Sequence, residues 1–427
     1  MVTRYRMLRS FSSILNKRHN RWFAAAEQSG ISASNFFISL VVLNYSGLAT
    51  LGEYGFWFAL CEFATLFLAG YAINNMVLYV GHSTIEDQRK ALVVTLGVVA
   101  VLLIIPGVIL TLIVVSRSPP NSAAFLAFPL VLYVALYNIS ELTRQFLYMR
   151  GRQRFSVLYA AFSVFFSVLG FCVILIVFRP DAILALVFWC LAFIQFGYVS
   201  LALLFSRAYR FIPKFKYAEI QDCMKFYWDH GRMASAGMLV AWVQNKSINP
   251  VLVLTLGAVM AGYYQVAKMI FMPINMITVG FARSAMKPVR HAWGDGDEKL
   301  LRSAIMVQLR TSLIVVFSYL AIAAIAIFLI DAMGLRDIPK ELIVIVLATA
   351  IVVVLSNYRY WLSLHFAVQL QFSYLFYVGC IAAALAFFWM LTAGAFFKVA
   401  FLVVLGSGIG ECFLLVSLNQ RMKKTLG

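Results

Sequence analysis

The sequence predicts an all-α integral membrane protein of about twelve transmembrane helices in two six-helix lobes. Three observations carry that expectation. Hydrophobic residues make up 63% of the chain and charged residues 12%, with a mean hydropathy of +0.88, whereas soluble domains hold roughly a quarter charged residues. The apolar runs are about 20 residues long, which suits helices crossing a hydrocarbon core of about 30 Å; barrel strands would alternate over about 10 residues. Finally, polar breaks separate these runs, and a long basic segment at 206–232 halves the series.

Taken in order, the spans are expected at about 23–45, 54–80, 91–115, 123–148, 155–178 and 182–205, then 233–256, 261–282, 306–330, 342–366, 372–393 and 398–418. Residues 1–22 form a basic N-terminus, 23–205 the first lobe, 206–232 the inter-lobe segment, 233–418 the second lobe and 419–427 the tail. The first twenty-one residues hold no short apolar core with a small-residue cleavage site, so the first span is expected to insert uncleaved. Placing both termini in the cytoplasm puts twenty-five lysines and arginines in cytoplasmic segments against five outside, a strong positive-inside bias. Membrane insertion thus accounts for much of the net charge of +18, with anionic lipid headgroups a secondary attraction and no nucleic-acid partner implied. Six cysteines lack metal-type spacing and read as apolar filler.

An internal repeat supports the two-lobe division. A shift of 210 residues superposes Asn35 on Asn245, Ile38 on Ile248, Val41 on Val251, Gly47 on Gly257, Gly52 on Gly262 and Tyr54 on Tyr264. Lobes of six spans each share one orientation, related by an axis along the membrane normal, and such a pair leaves a cleft.

Polar residues inside the spans form faces. Span one stacks Gln28, Ser32, Asn35 and Ser39; span four stacks Tyr133, Tyr137, Glu141, Arg144 and Tyr148. The stretch 233–281 is the richest: Trp242, Asn245, Lys246, Asn249 and Pro250, a turn containing Gly257, Gly262 and Tyr264, then Lys268 and Asn275 on one face. Pro250 reads either as a tolerated kink or as a helix break that frees a carbonyl toward a cavity. The deep cations are Lys246, Lys268 and Arg359, with Arg144 nearer an end; the acids are Glu62, Glu141 and Glu411. Glu141 and Arg144, three apart, are expected to neutralise one another. The other charges either pair between helices, snorkel, or line the cleft; Lys246 lies too far from either end of its span to snorkel. A cleft lined by Lys246, Lys268 and Arg359 would be electropositive and suit an anionic cargo. Glu62 is either a salt-bridge partner or a carboxylate that exchanges a proton during transport.

The paired turns, the central basic loop, the Met286-Lys287-Pro288 segment and the Gly294-Asp295-Gly296-Asp297 run resemble the polysaccharide flippases of the multidrug/oligosaccharidyl-lipid/polysaccharide (MOP) exporter superfamily, the Wzx-like O-antigen and exopolysaccharide translocases. The resemblance covers nearly the whole chain. It implies two MATE-like six-helix lobes around a cationic cavity in a bacterial inner membrane, flipping an undecaprenyl-diphosphate-linked oligosaccharide by alternating access. It further implies coupling to a proton or sodium gradient with no cofactor or metal, ion-coupling candidates Glu62, Glu141 and Glu411, and polysaccharide polymerase and export proteins as partners. Lys246, Lys268 and Arg359 would meet the diphosphate, with Arg144, Asn35, Asn245, Asn249, Trp242 and Tyr264 as further substrate contacts. One departure is that the family often has an Asp-Arg pair where this chain has Asn245-Lys246. The alternatives are a MATE-like drug or metabolite antiporter and a membrane-embedded glycan-modifying enzyme. Against the enzyme stand the short extracytoplasmic loops and five unclustered histidines.

Overall fold

Apolar composition and sparse helix breakers produce helices throughout the computed structural model, which describes the backbone of residues 2–73, 75–76, 85–117, 120–149, 154–177, 183–206, 217–274, 278, 298–332, 338–369 and 371–426. The Met286-Lys287-Pro288 and Gly294-to-Asp297 segments and Asn275 lie outside the described residues, as do the side chains of Gln28 and Tyr148. In chain order the helices are α1 (Val2–Leu68), continued by a π-helical turn (Ala69–Ile73), α2 (Ile85–Leu102), α3 (Ile104–Arg117), α4 (Pro120–Met149), α5 (Arg154–Val177) and α6 (Ile183–Ser206). They are followed by α7 (Tyr217–Phe226), a second π turn (Tyr227–Gly231), α8 (Arg232–Asn245), α9 (Ile248–Leu256) and α10 (258–274). The last four are α11 (Glu298–Ala332), α12 (Lys340–Val368), α13 (Phe372–Thr392), extended by a π turn (Ala393–Phe397), and α14 (Ala400–Leu426).

Among the described residues, eight helical runs are long and apolar enough to cross a membrane. One of them, Ser29–Ile73, runs through most of both of the first two expected spans. The reason is that the turn expected between them is a single residue. Gly47 has φ 82 and ψ −177, and helix resumes directly after it. Gly257, its repeat partner, has φ 91 and ψ 168 and separates α9 from α10 in the same way. Side chains other than glycine's are strained at such positive φ. Tyr54 and Tyr264, which close the turn motifs and fall at the start of the expected spans 54–80 and 261–282, lie inside helices.

The chain packs as two units. The first comprises Met1–Val41 and Cys61–Ala236; the second comprises Val42–Leu60 and Gly237–Gly427. The middle of α1 therefore belongs with the C-terminal helices, and α7 with the start of α8 belongs to the N-terminal unit.

In the first unit α4 packs along α6, and Ser140 Oγ donates to Gln195 Oε1 at 2.6 Å. Small polar side chains join α1 to α5, where Ser34 Oγ donates to the Ser163 carbonyl at 3.3 Å. Ala72, Ile73, Met76, Leu92, Phe146 and Tyr227 form a core, inside which the Thr95 and Tyr227 hydroxyls bond at 2.5 Å. In the second unit α14 packs on α12 and α13, with Leu362, Phe366, Leu418 and Met422 buried together. Asn357 links α11 and α12 by accepting from Ser312 Oγ at 3.0 Å and donates onward to Thr278 Oγ1 at 2.7 Å. Outward faces remain apolar: Val101, Ile104, Val108 and Leu112 are more than half exposed, as are Ile314, Ile325 and Phe328. For a helix bundle surrounded by lipid, that exposure costs nothing.

Candidate functional site

The second unit's broken helix is built by one proline. Pro250 has no N–H, so the carbonyl of Lys246, four residues earlier, receives no helical donor. The backbone responds by opening there: α8 stops at Asn245, Lys246 and Ser247 form a turn, and α9 begins at Ile248. Both the Lys246 and the Ser247 N–H groups donate to the Trp242 carbonyl, at 2.8 and 3.2 Å. Regular bonding resumes with Val251 N–H to the Ser247 carbonyl at 2.9 Å. Of the two readings of Pro250, the helix break describes the structure, and the half-buried Lys246 sits at it.

Beside this break two copies of the repeat cross. An ideal Cβ on Gly52 would lie 1.9 Å from the Ala258 carbonyl oxygen, and one on Gly262 would lie 2.1 Å from the Leu48 carbonyl oxygen. Positions 48 and 258, like 52 and 262, are 210 residues apart, so the contact is reciprocal. Each glycine makes room for the other copy's backbone. One further turn along, the space before Gly55 is filled by the amides of Gln265 and Asn249, which a Cβ there would meet at 1.8 and 2.1 Å. Asn249 is 1% exposed; its Nδ2 donates to the Gly52 carbonyl at 3.4 Å, while its Oδ1 is buried without a hydrogen-bond partner.

The remaining sequence candidates fall into distinct settings. Trp242 is buried and its Nε1 donates to the Ala59 carbonyl at 2.9 Å, which makes it a clamp on the middle of α1. Asn245 is half-buried and bonds back to the Ala241 carbonyl of its own helix at 2.9 Å. Tyr264 is buried one turn before Lys268, whose Nζ lies 5.7 Å from the centre of the tyrosine ring. Arg359 on α12 donates through Nε to Oε2 of Glu411 on α14 at 2.5 Å; Glu411 is 0% exposed and its Oε1 has no hydrogen-bond partner. The structure thus joins a proposed diphosphate ligand, itself part-exposed, to a buried proposed ion carrier.

In the first unit Arg144 is held between two carboxylates, Glu27 at 3.1 Å and Glu141 on its own helix. Gln145 Nε2 also donates to Glu141, at 2.8 Å. Tyr133 and Tyr137 tilt together with ring centres 5.8 Å apart, and Tyr133 packs against Phe188. Asn35 is half-buried and its carbonyl accepts from Ser39 Oγ at 2.9 Å. Glu62 is half-buried, and its carbonyl accepts from Thr65 Oγ1 at 2.9 Å. Two residues of consequence escaped the sequence reading. Glu27 is an acid within the first expected span and could have been found by asking what would balance Arg144. Gln265 falls opposite Gly55 in the repeat, a polar-for-glycine exchange that the alignment displays.

No protein-family model matches this sequence, and no curated protein matches it. Solved structures do match along almost the entire chain. An inward-facing multidrug-resistance MATE transporter of the MOP superfamily superposes with a TM-score of 0.63 at 14% identity, covering 95% of both chains. The chain has the MATE fold. An outward-facing multidrug-resistance MATE transporter gives a TM-score of 0.63 at 12% identity over 95% of this chain and 94% of that one. A MOP superfamily transporter from Pyrococcus furiosus, described as having a binding pocket of reverse polarity that suggests a different function, gives 0.58 at 13% identity over 94% of each chain. A MATE fold with eight long apolar helical runs among the described residues makes this a multi-pass membrane protein.

Proposed function

We propose that this MATE-fold chain is a transporter, not an enzyme, which flips an undecaprenyl-diphosphate-linked oligosaccharide across a bacterial inner membrane by alternating access during surface-polysaccharide assembly. The observation that carries this reading is Lys246, a cation placed at the helix break that Pro250 opens within the expected span 233–256. Interrupted helices serve transporters by presenting backbone and side-chain polarity to a substrate at mid-membrane depth. A lysine at such a break supplies charge-assisted donors to phosphate oxygens that have shed their water. Lys268, in the same unit, adds a second cation. Arg144 and Arg359 contribute through carboxylate-held positions rather than as direct ligands. A proton or sodium gradient drives the cycle with Glu62 as carrier, and polymerase and export proteins act beside it.

Proteoliposomes containing a short fluorescent lipid-diphosphate oligosaccharide test the reading. Wild type is expected to move the lipid, Lys246→Ala to abolish movement while retaining its unfolding temperature, and Glu62→Gln to remove dependence on a pH gradient. An inactive wild type under both proton and sodium gradients would sink the flippase. The second reading, a drug antiporter, is favoured by the multidrug transporters among the solved structures. Tight binding of a lipophilic cation, with none of a lipid diphosphate, would decide for it.

A further inference from the structure

Among the described runs able to cross a membrane, Leu301–Leu329 on α11 has the least protein around it, with 11% of its apolar window buried against 28–56% for the others. Its covered side is narrow. Leu301, Ile305, Leu309, Ser312 and Val316 recur at helical spacing and are buried; the first three pack with Trp361 and Leu364 of α12, and Ser312 meets Asn357. The opposite side faces lipid: Val307, Ile314, Phe317, Ile325 and Phe328 are each more than half exposed.

A cation stands in that apolar stripe. Arg310 comes three residues after Val307 and four before Ile314, hence on their face, and it is exposed. It makes no ion pair or hydrogen bond with another described residue. A charge on a lipid-facing surface is costly unless it reaches a partner at the interface. The protein supplies no carboxylate for that role nearby. Over 283–330 six lysines and arginines outnumber three acids, Asp295, Asp297 and Glu298, and even Glu298 is twelve residues, about 18 Å of helix, from Arg310. Helix α11 meets α12 at Asn357 and α10 through Tyr319 Oη, which donates to the Ile270 carbonyl at 2.6 Å. Those helices have no acid over 342–368 and 258–274; their charged or titratable basic residues there are Arg359, His365 and Lys268.

We infer that Arg310 binds the phosphate of an anionic phospholipid in the leaflet at the end of α11 that the charge distribution places in the cytoplasm, and that this bond sets the height of α11 in the bilayer. Arg310 lies four residues, about 6 Å, inside the expected span 306–330, so its stem reaches back to the phosphate layer. There the guanidinium gives charge-assisted hydrogen bonds to phosphate oxygens, and the acyl chains pack along Val307, Ile314 and Phe317. The surplus of basic residues favours a headgroup with net negative charge over one that carries its own cation. Helix α11 has 35 residues, about 52 Å, against a hydrocarbon core of about 30 Å. Its length therefore leaves its height open, and an interfacial anchor decides it. None of this rests on what the protein transports.

Full-length protein carrying a photoreactive side chain at Ile314, in nanodiscs of equal phosphatidylglycerol and phosphatidylcholine, tests this through the masses of the adducts. Phosphatidylglycerol is expected to exceed phosphatidylcholine about fivefold, the effect of one arginine near an anionic headgroup. Arg310→Gln is expected to remove that excess, and Arg310→Lys to keep part of it. Arg302→Gln, which alters the other exposed arginine of α11 on a different side of the helix, is expected to keep it in full. Equal labelling by the two lipids in the otherwise unaltered protein, or an unchanged excess in Arg310→Gln, overturns the site; equal losses in the Arg310→Gln and Arg302→Gln variants overturn it in favour of diffuse attraction. In discs doped with a polyprenyl diphosphate, an adduct with that lipid in place of phosphatidylglycerol also overturns it. Amide exchange over 302–306 in phosphatidylglycerol discs is expected to differ between wild type and Arg310→Gln, and identical exchange overturns the anchoring of α11.

Discussion

The two copies of the repeat share a frame and differ in what they carry. Gly47 and Gly257 break the helix with the same backbone geometry, and Gly52 and Gly262 make room for one another's chains. Around that frame the second copy has Lys246 where the first has Phe36, Pro250 where it has Leu40, Gln265 where it has Gly55, and Lys268 where it has Phe58. Even the local contact is preserved while its chemistry changes. Tyr54 meets Phe58 with ring centres 5.7 Å apart, and Tyr264 meets Lys268 Nζ at 5.7 Å. What is common to both copies is architecture; the lysines and the proline belong to one.

This comparison can be broken at several points. The largest effect is expected at the crossing. Gly52→Ala and Gly262→Ala each drive a methyl into a backbone oxygen, which has no rotamer to retreat to, so each is expected to cost about 3 kcal/mol. Thermal unfolding in detergent should show the two losses to be equal; a loss confined to one of them would end the idea of a reciprocal contact. Next come Gly47→Ala and Gly257→Ala, which strain a positive φ by about 1–2 kcal/mol each, again in matched amounts by the same measurement. The third change sharpens the contrast. Pro250→Ala supplies an N–H to the Lys246 carbonyl and is expected to close the break, so that amide exchange at position 250 becomes slow while lipid flipping falls. Rapid exchange there would mean that something other than the proline holds the helix open. The smallest stability effect is expected for Lys268→Phe, which copies the first repeat and trades a cation–π contact for an aromatic pair, a change of about 0.5–1 kcal/mol at most. Its unfolding temperature should stay near wild type while transport in proteoliposomes drops, and full activity would remove Lys268 from the site.

How much of this was legible in the sequence depends on the range of each interaction. Helices, spans and the 210-residue repeat rest on composition and spacing, which are local, and the MATE fold follows them. The pairing of Glu141 with Arg144 was readable because both stand on one helix, three residues apart. The third member, Glu27, is 117 residues away, and Arg359 and Glu411 are 52 apart. Those unions depend on how helices face one another, which no single helix encodes. Trp242 illustrates the same limit: an indole in a span could stack on a ligand, and only the placement of Ala59 reveals that its donor is spent on packing. The breaks at Gly47 and Gly257 were located correctly but drawn too long, because a glycine at positive φ turns the chain in one residue where a run of small residues suggests a loop.

The reciprocity of the glycine crossing reaches beyond stability. Position 48 of one copy meets the equivalent of position 52 in the other, and the same holds with the copies exchanged. That is the contact pattern of a two-fold dimer of identical subunits. A half-length ancestor could have made this contact with a second molecule of itself, and fusion of two such genes would have changed nothing at the interface. Fusion did release the two copies from having to mutate together. A lysine and a proline introduced into a homodimer would appear twice, burying two cations and breaking two helices; in the tandem chain each appears once.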